Sequence, residues 1–454
     1  MYPNSGKPLG IKWPEVARSA FSPSCFGTIL AGMADTGEHA ASLIFDWNEV
    51  NRKGSISPKN ASFFDETLRD GLQNPSVTDP GIDAKLEILH LMNDLGIHEA
   101  DIGLPGSSKR AFDDVLRMCQ EVASQKMNIK IACAGRTVVG DITPMIEVSQ
   151  RAGIPIEVYA FIGSSPIRQY VEDWDLPLIL KRSTDAIDVA VKAGLPVAFV
   201  TEDTTRSRPD VLTTLFRAAV DHGATRLCLS DTVGHATPDG VRNLVQFTKG
   251  VIAGTGATNI GIDWHGHNDR GFALENAIWA LEFGADRVHA TALGIGERVG
   301  NAQMELLLLN MKLLGQIDQD LTKLLRYVET VAKALDWTIP INYPLVGRDA
   351  FRTATGVHAS AIIKALAKND IFLADRIYSG VPAGMFGREQ EICIGFMSGA
   401  SNVHFWLKKR GIPASDKLVQ EILAEAKKLD RIMLDQEVLA VVEQSGIRVP
   451  SSPA

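Results

Sequence analysis

The chain has 454 residues, a formal net charge of −8 and 22% charged residues, a length that supports a large core plus an appended module. An acidic balance without a basic tract argues against nucleic acid and anionic membrane as partners. No run of about 18 or more apolar residues occurs, so no transmembrane helix is expected. The first residues, Met1 to Lys7, lack the apolar core of a signal peptide. The five cysteines (Cys25, Cys119, Cys133, Cys228, Cys393) form no Cys-x-x-Cys and read as reduced thiols in a cytoplasmic protein.

Residues 1–60 carry Pro, Gly and Ser interruptions and one helical-looking stretch near Ala41 to Val50. They read as an N-terminal extension that packs on the main domain or on a partner subunit. From residue 61 a regular beat begins, in which short apolar runs end in polar residues and helical stretches follow. The runs are Ser62–Asp65, His98–Ile102, Ile129–Cys133, Ile156–Phe161, Val197–Thr201, Arg226–Ser230, Ile260–Trp264 and Arg287–Thr291. Eight such repeats over 61–316 predict an α/β fold, a (β/α)8 TIM barrel. A doubly wound open sheet would want a Gly-rich phosphate loop after the first strand, and Arg69-Asp70-Gly71-Leu72-Gln73 is not one.

Polar residues gather at the C-terminal ends of these runs, the catalytic face of such a barrel. They are Asp65, Glu66, Arg69 and Asp70 after strand one and Asp101 after strand two. Glu202 and Asp203 follow strand five, Asp231 and Thr232 strand six, and His265 and His267 strand seven. In an extended strand His265 and His267 point the same way. With a carboxylate from the Asp70 segment they form a facial N,N,O set, leaving positions for water and substrate. Arg69-Asp70 could be an ordinary loop ion pair, but its place between an apolar strand and a glycine favours a site. The loop Gly294-Ile295-Gly296-Glu297-Arg298-Val299-Gly300-Asn301 follows strand eight, where barrels often bind phosphate.

Residues 317–410 read as a further catalytic and linker module, helical near 317–337 and 355–369 and loop-rich from 370 to 410. Residues 411–454 read as terminal helices, with apolar spacing at Leu418, Ile422, Ala426 and Leu429. Spacing alone singles out neither His358 nor Tyr378 in this region.

Three segments resemble the signatures of the TIM-barrel Claisen-type condensing enzymes and lyases. They are Asp65 to Gln73, His265-Gly266-His267-Asn268-Asp269, and Gly294 to Asn301. That family includes the 2-isopropylmalate, homocitrate, citramalate and Re-type citrate synthases and hydroxymethylglutaryl-CoA lyase. The isopropylmalate synthases are most similar, through Asp101 to Ser108, Ser230 to Pro238, Thr355-Gly356-Val357-His358 and Tyr378 before Phe386-Gly387-Arg388. The lyases lack the last of these modules.

The resemblance implies condensation of acetyl-CoA with a 2-oxo acid, 2-oxoisovalerate first, using a divalent metal (Zn, Mn or Mg). Homocitrate, citramalate or Re-citrate synthesis is the alternative; an acyl-CoA lyase or an inactive regulatory homologue is further off. It makes Asp70, His265 and His267 metal ligands, with Asn301 weaker or outside the first ring of ligands. It gives Arg69 the developing charge, Thr232 the substrate carboxylate, and Glu202 the hydrolytic water or a place near the metal, a role that Asp203 could share or take. Asp101, Gly296 and Glu297 fall among the substrate-binding residues, and His358 with Tyr378 becomes the base pair. In the family that pair usually serves the other subunit's barrel, which implies a domain-swapped homodimer.

Two departures stand out. The first motif reads Asp-Glu-Thr where many synthases have Asp-Thr-Thr. Tyr159 stands where many isopropylmalate synthases place a His near the oxo-acid pocket. A leucine-sensing C-terminal domain does not fit into residues 411–454, so insensitivity to leucine is expected.

Overall fold

A computed structural model describes residues 43–50 and 61–447. The chain divides into two units between Asn51 and Arg52. In the first, residues 43–50 contain one 3-10 turn, Trp47–Glu49, with the Asp46 side chain accepting from the Asn48 N–H. The rest of the expected N-terminal extension lies outside the described residues.

The second unit is the expected barrel. Eight parallel strands close on themselves in sequence order: β1 (Ser62–Asp65), β2 (Glu99–Asp101), β3 (Lys130–Arg136), β4 (Glu157–Gly163), β5 (Val197–Glu202), β6 (Arg226–Asp231), β7 (Gly261–Gly266) and β8 (Arg287–Ala290). Closure is made by β1 against β8, with Phe64 opposite His289 and Asp65 opposite Ala290. Several strands run past the apolar runs that announce them. β7, for example, continues through His265 and Gly266, which pair with Ser230 and Asp231 of β6. Polar residues at the barrel mouth therefore still take part in the ladder.

Helices cover the outside. The helix Lys109–Gln125 starts at Ser108, whose hydroxyl accepts from the Ala111 N–H. It then buries Val115, Leu116, Met118, Cys119 and Val122 along one stripe. Among the described residues no helix is long and apolar enough to cross a membrane.

Core packing continues beyond the barrel. Tyr327, on the helix Leu324–Ala334, is buried, and its hydroxyl donates to Asp65 at the end of β1. Two short parallel strands, β9 (Arg352–Thr353) and β10 (Glu391–Ile392), then pair with each other. The loop-rich stretch ends in a helix, Ala400–Lys409. Its Val403, Trp406 and Leu407 share a separate apolar cluster with the helices Asp416–Ala426 and Asp435–Gln444.

The lower barrel interior is charged. The Arg287 guanidinium contacts Glu99, Glu157 at 2.8 Å and Asp263 at 3.0 Å, and Phe64 and Tyr159 lie against it. Arg226 Nε adds a second cation 2.7 Å from Asp263. Burial disfavours charge on Asp263, but Arg287 and Arg226 outweigh it and hold its pKa well below the usual carboxylate range. Glu99 goes the other way, and burial pushes it up to about 8. Removing one member of such a set strands charge in the core. Arg287→Met is expected to cost about 3–5 kcal/mol, read as a lower urea midpoint or loss of soluble protein.

Candidate active site

The strand alternation carries β7 side chains inward in a column, with Asp263 low in the barrel and His265 above it. His267 follows just past the strand end, held in an isolated bridge to Asn301. The His265 and His267 Nε2 atoms lie 3.2 Å apart. Asp70 Oδ2, from the loop after β1, lies 3.6 Å from His267 Nε2 and 4.0 Å from His265 Nε2.

Two ligands at about 2.1 Å from one ion are roughly 3.0–3.4 Å apart, depending on geometry. The triangle is close to that size, with its Asp70 edges slightly wide. Burial, then the neighbouring His265, holds the His267 pKa down to about 4, so the ring stays neutral. Lone pairs from two imidazoles and a carboxylate thus converge in a buried pocket. That arrangement is repulsive alone and favourable around a cation, so Asp70, His265 and His267 could hold a divalent metal.

Glu66, His265 and His289 form a second buried cluster. Glu66 Oε2 lies 2.6 Å from His265 Nδ1, a hydrogen bond and too short for two ligands of one ion. It belongs to the support of His265. His289 faces Glu66 Oε1 at 3.2 Å through Nδ1 and Asp263 Oδ2 at 3.2 Å through Nε2. Burial opposes charge on His289, but the two carboxylates prevail and raise its pKa.

Arg69 is gripped by Glu66 at 2.5 Å, Asp101 at 2.9 Å and Asp70 at 3.3 Å. Asp101 therefore sits under Arg69, and burial raises its pKa to about 6. Asn301 turns its amide nitrogen to Asp70 Oδ2 at 2.6 Å, so in this orientation it holds the candidate ligand instead of adding an oxygen. The loop glycines make that possible. A Cβ on Gly296 would lie 1.9 Å from Asn301 Oδ1, and one on Gly300 (φ +87°) would lie 1.7 Å from the Gly294 carbonyl.

A cavity of about 350 Å³ opens over these groups. Arg69, Asp70, Asp101, Tyr159, Glu202, Thr232, His265, His267 and Glu297 all line it. Tyr159 offers its ring, while its hydroxyl turns down to Asp263 Oδ2 at 2.6 Å. Burial raises the pKa of Glu202, which faces Arg168 Nε at 3.2 Å. Asp203 is engaged by Arg206 through two contacts of 2.7 and 2.8 Å and does not line the cavity. Thr232 Oγ1 accepts from the Asp203 N–H at 2.8 Å, leaving its own O–H to donate.

His358 and Tyr378 stack on each other, ring centroids 4.1 Å apart, on an exposed part of the C-terminal region. Neither lines the cavity of its own barrel. A larger cavity of about 570 Å³ lies among Arg352, Glu391, Trp406, Arg410 and Asp435, away from both candidate metal clusters.

The cavity divides by strand. The converging donors come from β7 and the loops after β1 and β8. The wall of Leu104, Ala134, Tyr159, Phe161 and Val200 comes from β2 to β5.

A family model described as HMGL-like matches residues 60–331. The chain belongs to the HMGL-like family. Within it, a probable 2-isopropylmalate synthase of Methanopyrus kandleri is 30% identical, covering 82% of this chain and 70% of the relative. A homocitrate synthase of the same organism is also 30% identical, covering 86% of this chain and 95% of the relative. The HMG-CoA lyase of Bacillus subtilis shares the fold, with a TM-score of 0.53 and 22% identity, covering 63% of this chain and 96% of that one.

His289 is a site residue that the sequence reading does not identify, and Glu66, though placed at the catalytic face, is given no role by it. One signal existed for each, the Glu in place of Thr in the first motif and the inward pairing of His289 with Arg287 on β8. Gly296→Ala is expected to displace Asn301 and weaken divalent-ion binding about tenfold or more, with circular dichroism unchanged. Chelator competition reads that loss.

Proposed function

We propose that this HMGL-like protein is a divalent-metal-dependent synthase that joins acetyl-CoA to a 2-oxo acid with an apolar side chain, 2-oxoisovalerate first. The product is then 2-isopropylmalate, released after thioester hydrolysis. The observation that carries this reading is the cavity itself, a metal-competent donor set on one side and an apolar wall on the other. A second substrate carboxylate, as in 2-oxoglutarate or oxaloacetate, would need an uncommitted cation. Among the described lining residues, Arg69 is held by three carboxylates, Arg298 by Asp269, and His289 by Glu66 and Asp263.

Asp70, His265 and His267 would hold the ion, Zn, Mn or Mg. When bound it supplies Lewis-acid polarisation of the ketone. Arg69, fixed by its three partners, faces the negative charge that develops on the ketone oxygen. The Thr232 hydroxyl, free to donate, holds the substrate carboxylate. A base removes a proton from the acetyl methyl, the C–C bond forms at the ketone carbon, and the ketone oxygen gains a proton. Water then cleaves the thioester, releasing the free thiol of CoA and a carboxylate. Glu202, which lines the cavity, is assigned to orient that water.

The base assigned here is His358 with Tyr378. Because the pair lies outside the cavity of its own chain, the reading requires a second copy that presents it, a domain-swapped homodimer.

Thiol release with acetyl-CoA is expected to be fastest with 2-oxoisovalerate. Pyruvate should follow, and 2-oxoglutarate and oxaloacetate should run at least tenfold slower. A higher rate with either diacid reverses the assignment. Asp70→Ala and His267→Ala are each expected to lose activity by about 100-fold or more, with the fold intact and bound metal lost. For the dimer, inactive Arg69→Ala and His358→Ala chains refolded together should regain activity, since each mixed dimer carries one intact site. Mixed dimers without activity would place His358 outside the reaction.

A further inference from the structure

We propose that Glu66 is a positioning residue of the metal centre, fixing His265 as a ligand and coupling it to Arg69. The inference rests on the metal-dependent reading above.

Glu66 follows β1 directly, is 2% exposed, and has both carboxylate oxygens engaged. Oε2 accepts from His265 Nδ1–H at 2.6 Å, which settles the tautomer and leaves the Nε2 lone pair toward Asp70 and His267. Oε1 accepts from Arg69 Nη2 at 2.5 Å and faces His289 Nδ1 at 3.2 Å. One rigid carboxylate thus joins the ring that would bind the ion to the guanidinium that would bind the developing charge.

The Arg69 guanidinium, 2.5 Å from Oε1, is a fixed cation that favours the ionised carboxylate. An ionised acceptor on the remote nitrogen makes an imidazole a stronger ligand and restrains its rotation. His289 is in turn braced by Asp263, so the support of His265 reaches down to the Arg287 cluster.

The opposing possibility is a plain structural ion pair between β1, β7 and β8, and metal affinity separates the two. The full-length protein is stripped with chelator and titrated with Zn²⁺ or Mn²⁺ against a chromophoric competitor. Apo-protein Tm is recorded alongside. Glu66→Gln keeps the shape and removes the charge, and it is expected to weaken ion binding 10- to 100-fold. The d–d absorption of the Co²⁺-loaded protein should shift as well. Glu66→Asp keeps the charge at a longer reach and should fall between Glu66→Gln and wild type, which also covers a Glu66→Gln chain that fails to fold.

Glu305→Gln is the matched control. Glu305 is also fully buried and hydrogen-bonded, to Tyr343 and the Leu293 N–H, but has no contact with His265. It should leave affinity within twofold of wild type. If Glu66→Gln lowers apo Tm yet binds the ion within twofold of wild type, while Asp70→Ala loses it, Glu66 is structural only and the inference is overturned. If wild-type ion binding survives both Asp70→Ala and His267→Ala, the metal reading fails and takes this inference with it.

Discussion

Charge sealed away from water is the constraint on which this barrel rests. Each buried ion costs several kcal/mol unless its partners are close and well aimed. Arg287 meets that condition with Glu99 from β2, Glu157 from β4 and Asp263 from β7, while Tyr159 closes the ring from β4. Such contacts tolerate little slippage, because a one-residue shift in a strand would turn these groups out of the barrel. The cluster therefore holds the register of four strands, in a place where apolar packing alone would be more permissive.

The same pairing continues upward. Asp263 meets His289, His289 meets Glu66, and Glu66 meets both His265 and Arg69. Orientation at the mouth is thus inherited from the floor. The loop after β8 completes the frame from the side. Asn301 is pressed against Asp70 by glycines whose neighbours leave no room for a methyl group. Function-bearing side chains are in this way clamped on several sides, as a site that must present donors at fixed distances requires.

Much of this was legible in the sequence. The eight runs and their polar ends predict a barrel with polar residues gathered at one mouth, and the structure has that form. His265, His267 and Asp70 converge because strand alternation and chain order force them to. The lower interior was not legible. Glu99, Glu157, Asp263 and Arg287 stand in strand runs as isolated charges, and nothing local tells which will meet across 24 to 188 residues of chain. The direction of the Tyr159 hydroxyl depends on that hidden partner as well. β3 to β7 run past their apolar runs for a related reason, since polar mouth residues look like loop while still pairing, whereas β2 and β8 end one residue before theirs. His358 and Tyr378 carry no spacing signal at all, and resemblance alone drew attention to them.

The division of the cavity between strands has a consequence for how such a protein can change. The candidate metal donors and the Glu66, His289 and Asn301 that hold them occupy one contiguous arc, from β7 through β8 to β1, and the apolar wall occupies the opposite arc, β2 to β5, which also carries Asp101 and Glu202. Leu104, Phe161 and Val200 could be exchanged for larger, smaller or polar residues without touching Asp70, His265, His267 or Asn301. Tyr159 is the exception, because its hydroxyl is tied into the floor. A gene of this kind can therefore drift in substrate preference through three or four wall codons while its reaction stays intact, with Tyr159 the last of them free to move.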